Sequence, residues 1–209
     1  MNKLVTFAAF VAGIALPGAM VSASTLTLDT VTLVGTDFEF SYSGTLSGDE
    51  GLVAGSRLVI LDFGDYVPGS ISAGIYAPDL VASTELTTPG LLLAPGATDD
   101  PLIANLVFTW AGASFNASGG PFPDVSFAGL TARSTNSAVA LGSFSALTVN
   151  NNGFATGTPV NTLGFVGVAA QSPPVIPEPA TWATMLLGFG AMGAALRRRR
   201  EGVPRSAPA

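Results

Sequence analysis

The chain has 209 residues, with eight Lys and Arg against fourteen Asp and Glu for a net charge of −6; 48% of its residues are hydrophobic and only 11% are charged. It holds no Cys and no His, which excludes disulfides, thiolate nucleophiles, Cys- or His-type metal sites and serine–histidine triads. Soluble domains average about 25% charged residues, so part of this hydrophobic content belongs outside a soluble core.

The N-terminus reads Met1-Asn2-Lys3, then the apolar run Leu4 to Leu16, then Pro17 to Ala23. One positive charge, a hydrophobic stretch and small residues at the −3 and −1 positions, Val21 and Ala23, form the pattern of a secretory signal peptide. Residues 1–23 are therefore expected to be removed by cleavage after Ala23. A retained anchor is the competing reading, but the run is short for a hydrocarbon core of about 30 Å and is broken at Pro17-Gly18. Lys3 is the only lysine, so its removal leaves no amine for a Ser-Lys dyad or a Schiff base.

From Ser24 to Ala170 the texture changes to short alternating segments. In Asp37-Phe38-Glu39-Phe40-Ser41-Tyr42-Ser43 the aromatics share one face and the polar residues the other, a period of two that predicts a half-buried strand. Thr25 to Val34 has the same alternation with its phase slipping at Asp29-Thr30, as at a bulge or a tight turn. Further strands are predicted at 57–63, 103–110, 125–131, 139–149 and 160–169, each bounded by Gly, Pro, Asn or Asp. The stretch from Gly64 to Pro101 contains Pro68, Pro78, Pro89, Pro95 and Pro101. A strand inside it, such as Ser70 to Tyr76, would lie at an edge, and a loop of this length is either a binding loop or a disordered one. The fold class that follows is all-β: an antiparallel β-sandwich or jelly-roll-like ectodomain over residues 24–170.

Residues 171–179 form a Pro-rich linker that favours extended backbone. Residues 180–196 are apolar throughout and read as a single transmembrane helix of about 26 Å, with arginine side chains snorkelling to close the remaining gap. Arg197, Arg198, Arg199 and Arg200 follow and open a tail, residues 197–209, that the positive-inside rule puts in the cytoplasm.

The order Pro177-Glu178-Pro179-Ala180-Thr181-Trp182-Ala183, apolar helix and Arg cluster resembles the PEP-CTERM sorting signal in its PEPxxWA variety. The resemblance covers about an eighth of the chain and implies nothing about residues 24–170. It implies export in a Gram-negative bacterium and recognition in the inner membrane by an exosortase, a cysteine transpeptidase-like enzyme that cuts near Pro-Glu-Pro. It also implies delivery to the cell surface or extracellular matrix, in association with exopolysaccharide and biofilm. The physics of the segment suits a processing substrate: the prolines hold Glu178 in an extended backbone, Trp182 suits the outer interface, and Gly190 and Ala194 have the spacing that allows close helix contact.

Between Ser24 and Ile176 two basic residues, Arg57 and Arg133, face twelve acidic ones, a net of −10. Nucleic acid is excluded as a partner because phosphate contacts require a basic patch. Asp49-Glu50, Asp62 with Asp65, and Asp99-Asp100 offer the oxygens that calcium takes. None fits the EF-hand loop, and acidic turns that keep the surface solvated are the simpler reading, so no cofactor is expected. No local motif singles out the carboxylate pair that a glycan hydrolase would need, and the chain is expected not to be an enzyme. Tyr42, Tyr66, Tyr76 and Trp110 are candidates for stacking on sugar rings.

Overall fold

A computed structural model describes residues 23–120, 122–173 and 179–201. The chain divides into two compact units, Met1–Ser172 and Pro173–Ala209. In the first, nine strands run in order: β1 (Thr25–Val34), β2 (Asp37–Leu46), β3 (Glu50–Gly51), β4 (Arg57–Phe63), β5 (Leu80–Glu85), β6 (Ala104–Trp110), β7 (Val125–Ser134), β8 (Val139–Asn150) and β9 (Pro159–Ala169). All their pairings are antiparallel. β1, β2 and β7 form a three-stranded sheet, and the other six strands form a second, with β4 between β8 and β6, β5 beyond β6, and β3 and β9 both on β8. Among the described residues no barrel closes, and the three-plus-six division departs from the eight strands of a jelly roll.

The sheets face each other across one core. Leu26, Leu28, Phe40, Tyr42, Leu130 and Ala132 come from the small sheet, and Ile60, Phe63, Leu106, Phe108, Phe144, Val166 and Val168 from the large one. β2 shows why the sequence takes this form. Its inward positions Phe40 and Tyr42 are fully buried, whereas Glu39 and Ser41 stay partly exposed, as a strand with one wet face requires. Tyr42 lies so deep that its hydroxyl has no hydrogen-bond partner, and burial pushes the phenol's pKa up. The phase slip in β1 is a bulge: the register with β2 shifts between Leu28 and Thr30 within one continuous strand.

β4 and β6 are apolar on both faces because both faces are covered. Val59, Leu61 and Val107 form a second cluster on the outer side of the large sheet, under Leu91. Leu91 belongs to the Pro-rich stretch, which is thus anchored on the large sheet at this point. The same stretch supplies β5 at the edge of the large sheet. Its segment Tyr66–Ser72 lies along the outer edge of β7, with Val67 N–H donating to the Arg133 carbonyl at 2.9 Å and Ser72 exchanging two backbone hydrogen bonds with Thr131. The strand expected at Ser70–Tyr76 does not form. Ser72 makes one isolated bridge and Gly74–Tyr76 is a 3-10 turn, because Gly69 and Gly74 take left-handed φ values of 78° and 58° that end an extended run.

Among the described residues of the second unit a single helix, α1, spans Pro179–Glu201. It begins on a proline, which suits the first helical position. It also runs on through the four arginines, expected to open the tail, because arginine is a strong helix former and a C-terminal cation complements the helix dipole. Among the described residues no helix is long and apolar enough to cross a membrane; the uncharged part, residues 180–196, is diluted by three glycines and two threonines.

Candidate functional site

The acidic candidates lie in three places. At the end of β4 the register with β6 shifts between Ile60 and Phe63, and Asp62 takes a left-handed φ of 54°. Its N–H donates to Asn105 Oδ1 at 2.8 Å, and Asn105 Nδ2 donates to Asp99 Oδ1 at 2.7 Å. Asp99 Oδ2 accepts from the N–H and hydroxyl of Thr88 at 3.1 and 3.2 Å, and Asp62 Oδ1 accepts from the Asp100 N–H at 2.9 Å. The network ties the Pro-rich stretch to the large sheet through Asn105, which is fully buried. Asp65 stands apart, accepting from the N–H of Ser172 at 3.0 Å and from its hydroxyl. Of the calcium candidates, Asp62, Asp99 and Asp100 thus come together and Asp65 does not. Their carboxylates serve protein donors, and no group of three or more acidic residues among the described residues is placed to hold a metal ion.

Asp62 bears the electrostatic cost of this arrangement. Its carboxyl is raised above the ordinary 3.8, first by burial; the Asp100 N–H lowers it, and the charges of Asp99 and Asp100 add smaller increases. A raised carboxyl binds its proton more tightly folded than unfolded, so in the pH window just above 3.8 stability falls as pH rises, and the loss is complete above the folded pKa. Asp62→Asn keeps the acceptor for Asp100, suits the left-handed φ and removes the repulsion. The variant is expected to melt on the order of a degree higher than the native chain at pH 7. That gap should close as the pH is lowered to 4 in thermal melts.

The remaining charges are mostly paired. Glu39 sits opposite Arg133 in the β2–β7 register and accepts from its Nε at 3.2 Å, and Arg57 Nη2 donates to Glu85 at 2.7 Å. Both arginines of the β-sheet unit are therefore engaged, which leaves no free cation among its described residues. Glu50, read from sequence as half of a solvated acidic turn, is 2% exposed. Its Oε2 accepts from the Thr148 hydroxyl at 2.6 Å, and its Oε1 accepts from the Thr162 hydroxyl at 2.9 Å and the Ser24 N–H at 3.4 Å. Sequence reasoning missed this site because its hydroxyl partners lie 98 and 112 residues away.

The aromatic candidates fall in different surroundings. Tyr42 is core, and Tyr66 packs edge-on against Phe63. Tyr76 and Trp110 line a cavity of about 220 Å³ with Leu58, Phe108, Phe127 and Phe144, whose walls are almost wholly apolar. The Trp110 Nε1–H is already given to the Ala113 carbonyl at 2.8 Å.

In the second unit, the described part of α1 exposes Met185, Leu186, Leu187, Phe189, Met192 and Leu196, each more than half open. The glycines among them have open space where a Cβ would stand. Of the sorting residues read from sequence, Pro177 and Glu178 lie outside the described residues, as does Val21. Pro179, Trp182 and Arg198–Arg200 belong to α1, Ala183 and Arg197 are exposed on it, and Ala23 is the first described residue of the chain.

Residues 175–200 match the family model of the PEP-CTERM protein-sorting motif. The chain carries a PEP-CTERM sorting motif. The match spans the Pro-Glu-Pro triplet, the apolar helix and all four arginines, the three parts whose order the sequence displays. A PEP-CTERM motif marks export with membrane-associated processing by an exosortase. Comparison with curated proteins and with solved structures gives no match.

Proposed function

We propose that this is a non-enzymatic protein exported by a Gram-negative bacterium and released from its membrane by an exosortase. Residues 1–23 lead it across the inner membrane. The apolar part of α1 then associates with that membrane transiently, and the enzyme cuts near Pro177–Pro179. The β-sheet unit reaches the cell surface or extracellular matrix as a structural or glycan-associated component of the exopolysaccharide. The carrying observation is the match over residues 175–200, joined to a helix that exposes Met185, Leu186, Leu187, Phe189, Met192 and Leu196, as suits a lipid environment. The paired or buried state of Glu39, Glu85 and Glu50 favours a structural role over a carboxylate-based hydrolase. The apolar walls around Tyr76 and Trp110 favour it over a sugar-binding cleft.

Intact mass and C-terminal peptide mapping of the protein from its native host test this reading. The expected product starts at Ser24 and ends near Pro177–Pro179. A mature chain that still carries Arg197–Arg200 would overturn release and make the protein a permanently tethered one.

A further inference from the structure

Glu50 is a buried carboxylate whose hydrogen bonds, among the described residues, all come from uncharged donors, two threonine hydroxyls and one backbone N–H. Burying a carboxylate without a positive partner is expensive. The strands beside it offer none: β8 and β9 contain no titratable side chain at all. The adjoining acidic groups, Asp49 and Asp124, are held by Asn152 Nδ2 and the Gly48 N–H. Arg57, which shares the neighbouring cavity wall with Ser24 and Thr148, is committed to Glu85.

The one backbone donor to Glu50 is the nitrogen of Ser24, the residue that follows the expected cleavage point. In the uncut chain this nitrogen is a neutral amide with a single hydrogen. After cleavage between Ala23 and Ser24 it is an α-amino group with an ordinary pKa of about 7.7–8.0, hence mainly an ammonium at neutral pH. Ser24 is already fixed in place, since its Oγ accepts from the Ser47 N–H at 3.0 Å. The separation of 3.4 Å between Ser24 N and Glu50 Oε1 is long for an amide hydrogen bond, and a charge-assisted one shortens to about 2.7–2.9 Å.

We propose that removal of the leader creates the missing partner: the new N-terminal ammonium of Ser24 forms an ion pair with buried Glu50 and locks β1 to β3, β8 and β9. Cleavage hydrolyses the Ala23–Ser24 peptide bond, water supplying the hydroxyl of the departing carboxylate and the hydrogen of the new amine. The inference rests on the export reading only in that cleavage after Ala23 supplies the free amine. Stability would then depend on the position of the cut, with a chain cut one residue early carrying its charge about 3.5 Å out of reach.

The test compares thermal melts of three chains running to Ala209 in the same detergent. One begins at Ser24 with a free amine, one begins at Ser24 and is Nα-acetylated, and one begins at Ala23 with a free amine. The first is expected to melt about 3–8 °C above the other two, and Glu50→Gln should erase the difference between the free and acetylated forms. Equal melting of the three chains overturns the proposal. Should Glu50→Gln fail to fold, NMR titration of the Ser24 amine in the native sequence decides: a pKa above about 8 supports the pair, and one at or below the ordinary range overturns it. The N-terminal mass of the protein from its host reads the cleavage site separately, so a wrong cleavage point and a failed ion pair give different results.

Discussion

Phe63→Ala is expected to destabilise the β-sheet unit by about 3–5 kcal/mol, read as a lower denaturation midpoint with an unchanged m-value. Phe63 is fully buried at the end of β4. Its ring meets Phe40 of the opposite sheet edge-to-face at 5.2 Å and 82°, and Tyr66 at 6.3 Å and 78°. Truncation therefore opens a cavity and removes two aromatic contacts, one of which joins the two sheets. With domain stabilities of about 5–15 kcal/mol, this one change consumes a large share of the total. A loss below about 1 kcal/mol would mean that the surrounding side chains collapse into the space, and that the sheets are held together elsewhere.

Replacing Pro177, Glu178 and Pro179 together by alanine is expected to abolish C-terminal processing while leaving the fold intact. The strongest helix former then stands where two prolines stood, so α1 can extend toward residue 173 and deny a processing enzyme the extended backbone it would engage. In the host the protein should accumulate with Arg197–Arg200 still attached, seen as an unprocessed mass in the membrane fraction. The melting temperature should stay unchanged, since the core lies entirely between Leu26 and Ala169. Normal processing of this variant would separate recognition from the Pro-Glu-Pro triplet.

Strands with one wet face were legible because their signal is local. Phe38, Phe40 and Tyr42 alternate with Asp37, Glu39 and Ser41, and the slip at Asp29 is visible as a break in phase before any pairing is known. β5 was not legible. Leu80–Glu85 is short, lies between Pro78 and Pro89 and is only weakly buried; it is a strand because its backbone pairs with β6 from Leu80 opposite Trp110 to Glu85 opposite Asn105. Pairing of that kind is set by distant chain and leaves no periodic trace. Glu50 illustrates the same limit at the level of a site. Beside Asp49 it looks like a solvated turn, and only the arrival of Thr148 and Thr162 turns it into a buried group. The sorting segment is the opposite case: its three parts are contiguous, so their order alone carries the reading.

The bulge at Asp29 also bears on how copies of this protein behave when crowded. β1 is an outer strand of the three-stranded sheet, and a straight run of ten residues there would be a template on which a second chain could polymerise. The shifted register splits that template into two short pieces that are out of step. Asp29 is exposed at the break, with its carboxylate held by the Ser43 hydroxyl of β2 at 2.6 Å, so the interruption also carries a charge. Charges and bulges at open edges are how β proteins resist fusing into fibrils. A strand kinked and charged in this way lets the molecule reach high concentration and still remain a set of separate particles.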